Sequence, residues 1–209
     1  DPDGHGTQMA ILASGLLAAD GLAAAGSAVP LVSVRAFDEE GKTSNFAILQ
    51  ALAYAAKAGA KVVNMSWGSG TDSEFLRAAV QTAAAQGLVL VAAAGNEPTG
   101  QPVYPAAYDE VLAVGGTTAD GQPWKDSNAG DFVDLSAVAT ATLPAGSYVG
   151  TSISSAVVAN ALAQYLNRHP GASAAQARAA LVAALSPAPA AGLGAGTLDA
   201  AALRRLLGP

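Results

Sequence analysis

Four short stretches of this 209-residue chain carry an imidazole, a hydroxyl and a carboxamide in settings suited to covalent chemistry. Gly4-His5-Gly6-Thr7 stands directly ahead of the apolar run Met9-Ala10-Ile11-Leu12, which puts His5 at the mouth of a helix rather than on its buried face. Gly150-Thr151-Ser152 sets a serine at the head of a long apolar stretch, while Gly95-Asn96-Glu97 and Met65-Ser66-Trp67-Gly68 each follow an apolar run. A serine hydroxyl attacks poorly at its own pKa and needs a base within hydrogen-bonding reach, a role that imidazole fills near neutral pH. A side-chain amide can donate to the oxyanion of a tetrahedral intermediate. Taken singly, each stretch has an ordinary explanation: a serine N-cap, a glycine turn, a histidine near a helix end. Their order along the chain, and their position after strand-like runs, is what points to chemistry.

The positioning elements are short apolar runs that alternate with alanine-rich helical stretches. Pro30 to Phe37 reads as a strand, and Thr43 or Ser44 then caps a helix running to Gly59. Lys61 to Ser66 reads as the next strand, Asp72 or Ser73 opens a helix that ends at Gly87, and Leu88 to Ala94 and Val111 to Gly116 supply two more strands. Continuous apolar strands separated by helices are buried on both faces, so the expected fold is α/β: three layers with a mostly parallel central sheet. Beyond Gly116 the pattern loosens into polar loop and short extended pieces. Helices resume near Ser152 and from Ser173 to about Leu185, and Ser186 to Gly196, rich in Pro, Gly and Ala, reads as a flexible surface connection. In open α/β sheets function gathers at the carboxyl ends of the strands, where the Ser66 and Asn96 stretches fall.

Composition excludes several function classes. With 51% hydrophobic and 12% charged residues, residues 1–209 suit one domain with a large core. A formal net charge of −6 and the lack of a basic patch argue against a nucleic-acid partner. Without cysteine there is no disulfide, thiolate metal site or cysteine nucleophile. No apolar run reaches the roughly 18 to 20 residues that span a bilayer.

Together these stretches resemble the subtilisin-like serine proteases, the subtilases, and the resemblance covers essentially the whole chain. "DGHGTQMA" is similar to the family's histidine motif, "VVNMSWGS" to its substrate-binding strand, "VAAAGNE" to its oxyanion-hole loop and "GTSISSAVVAN" to its serine motif. "YPAAYDEVLAVGG", "DSNAGDFVDLSA" and "GAGTLDAAAL" are weaker matches in the intervals. The resemblance implies a subtilisin-like fold and a serine endopeptidase with no cofactor. In it Ser152 is the nucleophile, His5 the general base, and Asn96 an oxyanion donor beside the backbone N–H of Ser152. A place in the first helical turn disfavours the imidazolium and helps to keep His5 neutral. It also implies that Ser66, Trp67, Gly68, Ala94, Gly95 and Glu97 bind an extended peptide or protein substrate as an added strand, with Glu97 near the rim of the primary specificity pocket. An acid there would favour basic side chains, unless it is simply a solvated loop carboxylate. Location outside the cell or in the periplasm is an expectation from the family alone.

Chain order separates this resemblance from two other serine-hydrolase layouts. The α/β-hydrolase elbow needs G-x-S-x-G followed by an acid and then a histidine; here Ser154 follows Ile153, and no aspartate lies between Ser152 and His169. His169-Pro170 reads as the close of a helix. An aspartate between His5 and Ser152 would satisfy the chymotrypsin order, but the α/β alternation disagrees with paired β-barrels.

Departures from the family pattern are local except for one. Ala156 stands at the family's usual proline, and Gln8 and Ile11 replace its common histidine and glycine. The loop Ala18 to Ala28 lacks the oxygen ligands that calcium requires, so no metal site is expected there. The family's triad aspartate belongs at the end of a core strand ahead of the histidine. Asp1 and Asp3 read instead as turn or capping residues. The expectation is therefore a subtilase domain lacking its amino-terminal portion, with the aspartate and central strands supplied by an upstream region, a nicked segment or another polypeptide. The alternative is a catalytically silent peptide-binding or scaffolding domain on the same fold.

Overall fold

The computed structural model describes residues 4–23 and 28–208; Asp1, Asp3 and part of the Ala18 to Ala28 loop, whose expected roles are given above, lie outside the described residues. Helices α1 (His5–Ser14) and α2 (Asn45–Lys57) precede strand β1 (Val62–Met65), and α3 (Glu74–Ala85) joins it to β2 (Val89–Ala93). Strands β3 (Val111–Thr117) and β4 (Leu135–Val138) follow, then an antiparallel hairpin of β5 (Thr140–Leu143) and β6 (Gly146–Val149). Helices α4 (Thr151–Arg168) and α5 (Ala174–Ala184), the two-residue strand β7 (Thr197–Leu198) and α6 (Ala200–Leu207) complete the order. The main sheet runs β1-β2-β3-β4-β7 and is parallel throughout.

Period-two side-chain alternation builds three layers from strands that are apolar along most of their length. Val89 and Val91 of β2 pack with Leu112 and Val114 of β3 against α1, α4, α5 and α6. The intervening Leu90, Ala92, Val111 and Ala113 face α2 and α3. Every residue of β2 and β3 is buried, as expected of a parallel sheet covered on both sides.

The helix starts follow local side-chain chemistry. Ser44 accepts from the Ala47 amide and Ser73 from the Leu76 amide, so the serine is the cap in each Thr/Ser or Asp/Ser alternative. Ser173 and Gln176 form a reciprocal capping box, and Asp199 caps α6. Helix α4 is buried along most of its length, and Ala156, Ala159 and Ala161 let it lie close against the sheet.

Two expectations are corrected. Pro30 to Phe37 forms no strand: Leu31, Val32 and Val34 are 46%, 41% and 38% exposed, and no described strand pairs with the segment. A strand exists through its ladder, and β1 forms one edge of the described sheet, so apolar sequence alone does not make Pro30 to Phe37 a strand.

Nor is Ser186 to Gly196 a free connection. The Ala195 amide donates to the Asp134 carbonyl at 2.8 Å, Ser136 to Gly196 at 2.9 Å and Gly130 to Gly192 at 2.9 Å, and Leu193 is buried. Glycines permit this seam: a Cβ on Gly194, whose φ is +78°, would lie 2.2 Å from the Asp134 carbonyl carbon. Gly194→Ala combines left-handed strain with a backbone clash, and should lower the unfolding free energy by at least about 2 kcal/mol in urea titrations.

The Asp134 carboxylate beside that seam accepts the Ala113 amide at 2.8 Å. Burial pushes its pKa above the ordinary 3.8, outweighing the opposing effects of that hydrogen bond and of Arg178. The folded state therefore favours the protonated form, and this contribution to stability is lost as pH rises through the elevated folded value. Asp134→Asn keeps an acceptor for Ala113 and should raise the melting temperature at pH 7, with the gain shrinking toward pH 3.

Candidate active site

The carboxyl ends of β1 and β2 meet the amino-terminal turn of α4. Gly150 is the N-cap and makes no side-chain cap bond, which leaves the Thr151 and Ser152 side chains for other partners. Thr151 directs both its backbone N–H, at 2.9 Å, and its hydroxyl, at 2.8 Å, to Oδ1 of Asn96. Its hydroxyl oxygen also accepts from the Gly95 amide at 3.2 Å. Two donors on one oxygen fix which way the carboxamide faces. Nδ2 of Asn96 remains an uncommitted donor among the described residues, at an exposed position.

Ser152 is the second residue of α4, where a helix still presents free amide N–H groups. Its hydroxyl lies 3.4 Å from the Ser66 carbonyl oxygen, long for an O–H···O bond, so that oxygen is weakly committed. The turn itself is held firmly. The Ser66 hydroxyl donates to the Ser152 carbonyl at 2.9 Å and lies 2.9 Å from Oγ of Ser155, which is 3.0 Å from the same carbonyl. Asn64 Nδ2 donates to the Ser66 hydroxyl at 2.8 Å.

The loop beyond β2 is stapled from beneath. Fully buried Asn128 donates through Nδ2 to the carbonyls of Ala94, at 3.2 Å, and Gln101, at 2.9 Å. Its Oδ1 accepts from the Gly100 and Ala129 amides, and its own amide donates to Gly95. Across the cleft, Ser69 and Tyr104 exchange backbone hydrogen bonds of 2.8 and 2.7 Å, and Trp67 packs edge-on against Phe37.

The structure thus brings Ser66, Gly95, Asn96 and Ser152 together, with Trp67 and Gly68 extending from Ser66 and Ala94 buried beneath the loop. Glu97 is exposed on the same loop. His5 begins α1, which packs along α4, and Nδ2 of Asn160 donates to the Ala13 carbonyl at 3.0 Å. Among the described residues no group of three His, Cys, Asp or Glu side chains is arranged to hold a metal ion, and no helix is long and apolar enough to cross a membrane.

Thr151, Ser155 and Asn128 are site residues that sequence reasoning missed. Thr151 read as part of a helix start, and nothing local to it indicates a partner 55 positions away. The only signal for Asn128 was the short word "DSNAG" among the weaker matches.

Fold and site together define a three-layer α/β protein in which Ser66, Asn96 and Ser152 converge at the strand ends. The Subtilase family model matches residues 1–200. Subtilisin DY of Bacillus licheniformis is 34% identical over 188 residues, 85% of this chain and 69% of the relative. Subtilisin E of Bacillus subtilis (strain 168) is 34% identical over 180 residues, 81% of this chain but 47%, about half, of that protein. The chain belongs to the subtilase family. Its fold also matches the crystal structure of a lanthipeptide protease with a TM-score of 0.78, covering 98% of this chain and 76% of the other at 24% identity.

Thr151 holds the Asn96 carboxamide through two hydrogen bonds. Thr151→Val keeps the shape and the backbone donor but removes the hydroxyl's bond to Asn96 together with its longer bond from the Gly95 amide. With peptide substrates, kcat should fall about tenfold, the worth of one such bond, while KM stays nearly constant.

Proposed function

We propose that this chain forms a serine endopeptidase site that cleaves peptide bonds through an acyl-enzyme on Ser152. The observation that carries the reading is the Asn96 carboxamide, locked by Thr151 beside the start of α4 with Nδ2 left to donate. The Ser152 oxygen attacks the scissile carbonyl carbon while His5 takes its proton. The carbonyl oxygen becomes an oxyanion held by Asn96 Nδ2 and the Ser152 N–H. As the C–N bond breaks, the imidazolium returns that proton to the leaving amine. Water, deprotonated by His5, then attacks the acyl carbon, and Ser152 leaves with a proton from the imidazolium.

Two observations support His5 as the base. Ala13 and Asn160, which are hydrogen-bonded, are 147 positions apart, and the same offset separates His5 from Ser152. For packed helices running in the same direction, an equal rise per residue supports the pairing of those two. The course of the chain supports that direction. Val29 bonds to the Ser14 carbonyl at the foot of α1, and eight residues later Phe37 meets Trp67 beyond the carboxyl end of β1.

The backbone of Trp67 and Gly68 has no ladder partner among the described residues, which suits addition of an extended peptide or protein substrate as a strand. The carboxylate that orients His5 is read as belonging to polypeptide paired along the outer edge of β1. The edge that β1 forms among the described residues and the exposed Leu31, Val32 and Val34 support that reading.

A fluorophosphonate probe tests the reading on the full-length protein. Labelling at Ser152, abolished in Ser152→Ala and His5→Ala, is the expected result; inert Ser152 in folded protein favours the silent peptide-binding alternative. Asn96→Ala should lower kcat by about 10² to 10³, a magnitude carried over from the corresponding amide of subtilisin.

A further inference from the structure

Helix α1 ends in four carbonyl groups that need partners from beyond its own turns, and the chain that follows satisfies three of them. The Leu16 amide donates to Ile11 at 3.2 Å, the Gly15 amide to Leu12 at 3.0 Å and the Val29 amide to Ser14 at 2.8 Å. The fourth reaches another helix: the Ala13 carbonyl accepts from Nδ2 of Asn160, on α4, at 3.0 Å. The Asn160 carboxamide also covers the glycine that ends α1. A Cβ on Gly15, whose φ is +75°, would lie 2.7 Å from Nδ2, 3.2 Å from Oδ1 and 3.3 Å from Cγ. A side chain at position 15 would push the carboxamide off Ala13, so this glycine and the asparagine on α4 form one fitted contact.

Along the same pair of helices, Met9 and Leu12 share one buried apolar cluster with Ile153, Val157 and Ala161. Apolar contact is non-directional and tolerates a slide along the helix axis, whereas a hydrogen bond from a short side chain to a backbone carbonyl does not. Ala13 stands eight positions after His5, and Asn160 eight positions after Ser152, each span being about 12 Å of helix. On helices that run in the same direction, holding Ala13 against Asn160 sets the height of His5 relative to Ser152. We infer that Asn160 is a positioning residue for the general base, acting through the axial register of α1 on α4, with Gly15 making room for it. This deepens the endopeptidase reading and rests on it.

The test uses the full-length protein, its Asn160→Leu variant, which keeps the volume and removes the donor, and the smaller Asn160→Ala variant, with melting curves to confirm folding. Casein digestion by the parent identifies a cleaved bond, and a fluorogenic peptide carrying that bond serves as substrate. In folded variants kcat should fall by roughly 10- to 100-fold, the scale of a reacting group misplaced by about an ångström, while KM stays nearly constant. In a His5→Ala background the same substitutions should leave the residual rate unchanged, because no base is left to misplace. A kcat within about twofold of the parent in folded variants overturns the inference, as does a change confined to KM. So does an equal loss in the His5→Ala background, which marks Asn160 as a support for the fold alone. If the parent cleaves no bond in casein, the protease reading itself falls and the inference falls with it.

Discussion

Two hydrogen bonds from Thr151 converge on one oxygen of Asn96, and through them the head of α4 is fixed to the end of β2. The constraint matters because a carboxamide is nearly symmetric in shape: unrestrained, it presents an acceptor to the cleft as readily as a donor. Saturating Oδ1 removes that ambiguity before any substrate arrives. Electrostatic stabilisation of an oxyanion depends on such preorganisation, since donors that must reorient lose much of their value. The serine cluster of Ser66, Ser152 and Ser155 performs the matching task for the turn that carries Ser152, joining it to the end of β1.

This interlock is only as rigid as the elements behind it. Strands β2 and β3 are buried on both faces, and α4 lies against them through small residues, so neither end of the Asn96–Thr151 connection shifts without disturbing close packing. Asn128 completes the support with hydrogen bonds at both ends of the loop that carries Asn96. A fully buried carboxamide with its donors and acceptor satisfied holds a loop in one conformation that exposed side chains would not define. The same loop carries Gly95, so Gly95 and Asn96 share a scaffold.

The β1 side of the sheet is built differently. There the described sheet stops at an edge, and apolar residues of Pro30 to Phe37 meet solvent instead of a ladder. The opposite side closes through glycine contacts, with Gly194 and Gly196 brought against the backbone at Asp134 and Ser186. Chain that reads as loose by composition is tightly seated there, and chain that reads as strand is not paired. Both differences have one cause: glycine-rich or apolar composition describes what a segment is able to do, while its neighbours decide what it does.

The sequence by itself determined most of the alternation of strands and helices, the places where α2 and α3 begin and the four chemical stretches, because each is encoded within a few consecutive residues. Apolar periodicity, turn glycines and cap hydroxyls act locally, so the three-layer architecture could be read before any coordinates. Only the tertiary structure decided that Oδ1 of Asn96 is occupied, that Thr151 occupies it, and that Val103 lies between Gly68 and Gly95. It also decided that Asn128 belongs to the site and that Pro30 to Phe37 lacks a ladder. These outcomes depend on contacts between residues tens of positions apart, whose distances are set by sheet register and helix packing, and no local pattern in the chain records them.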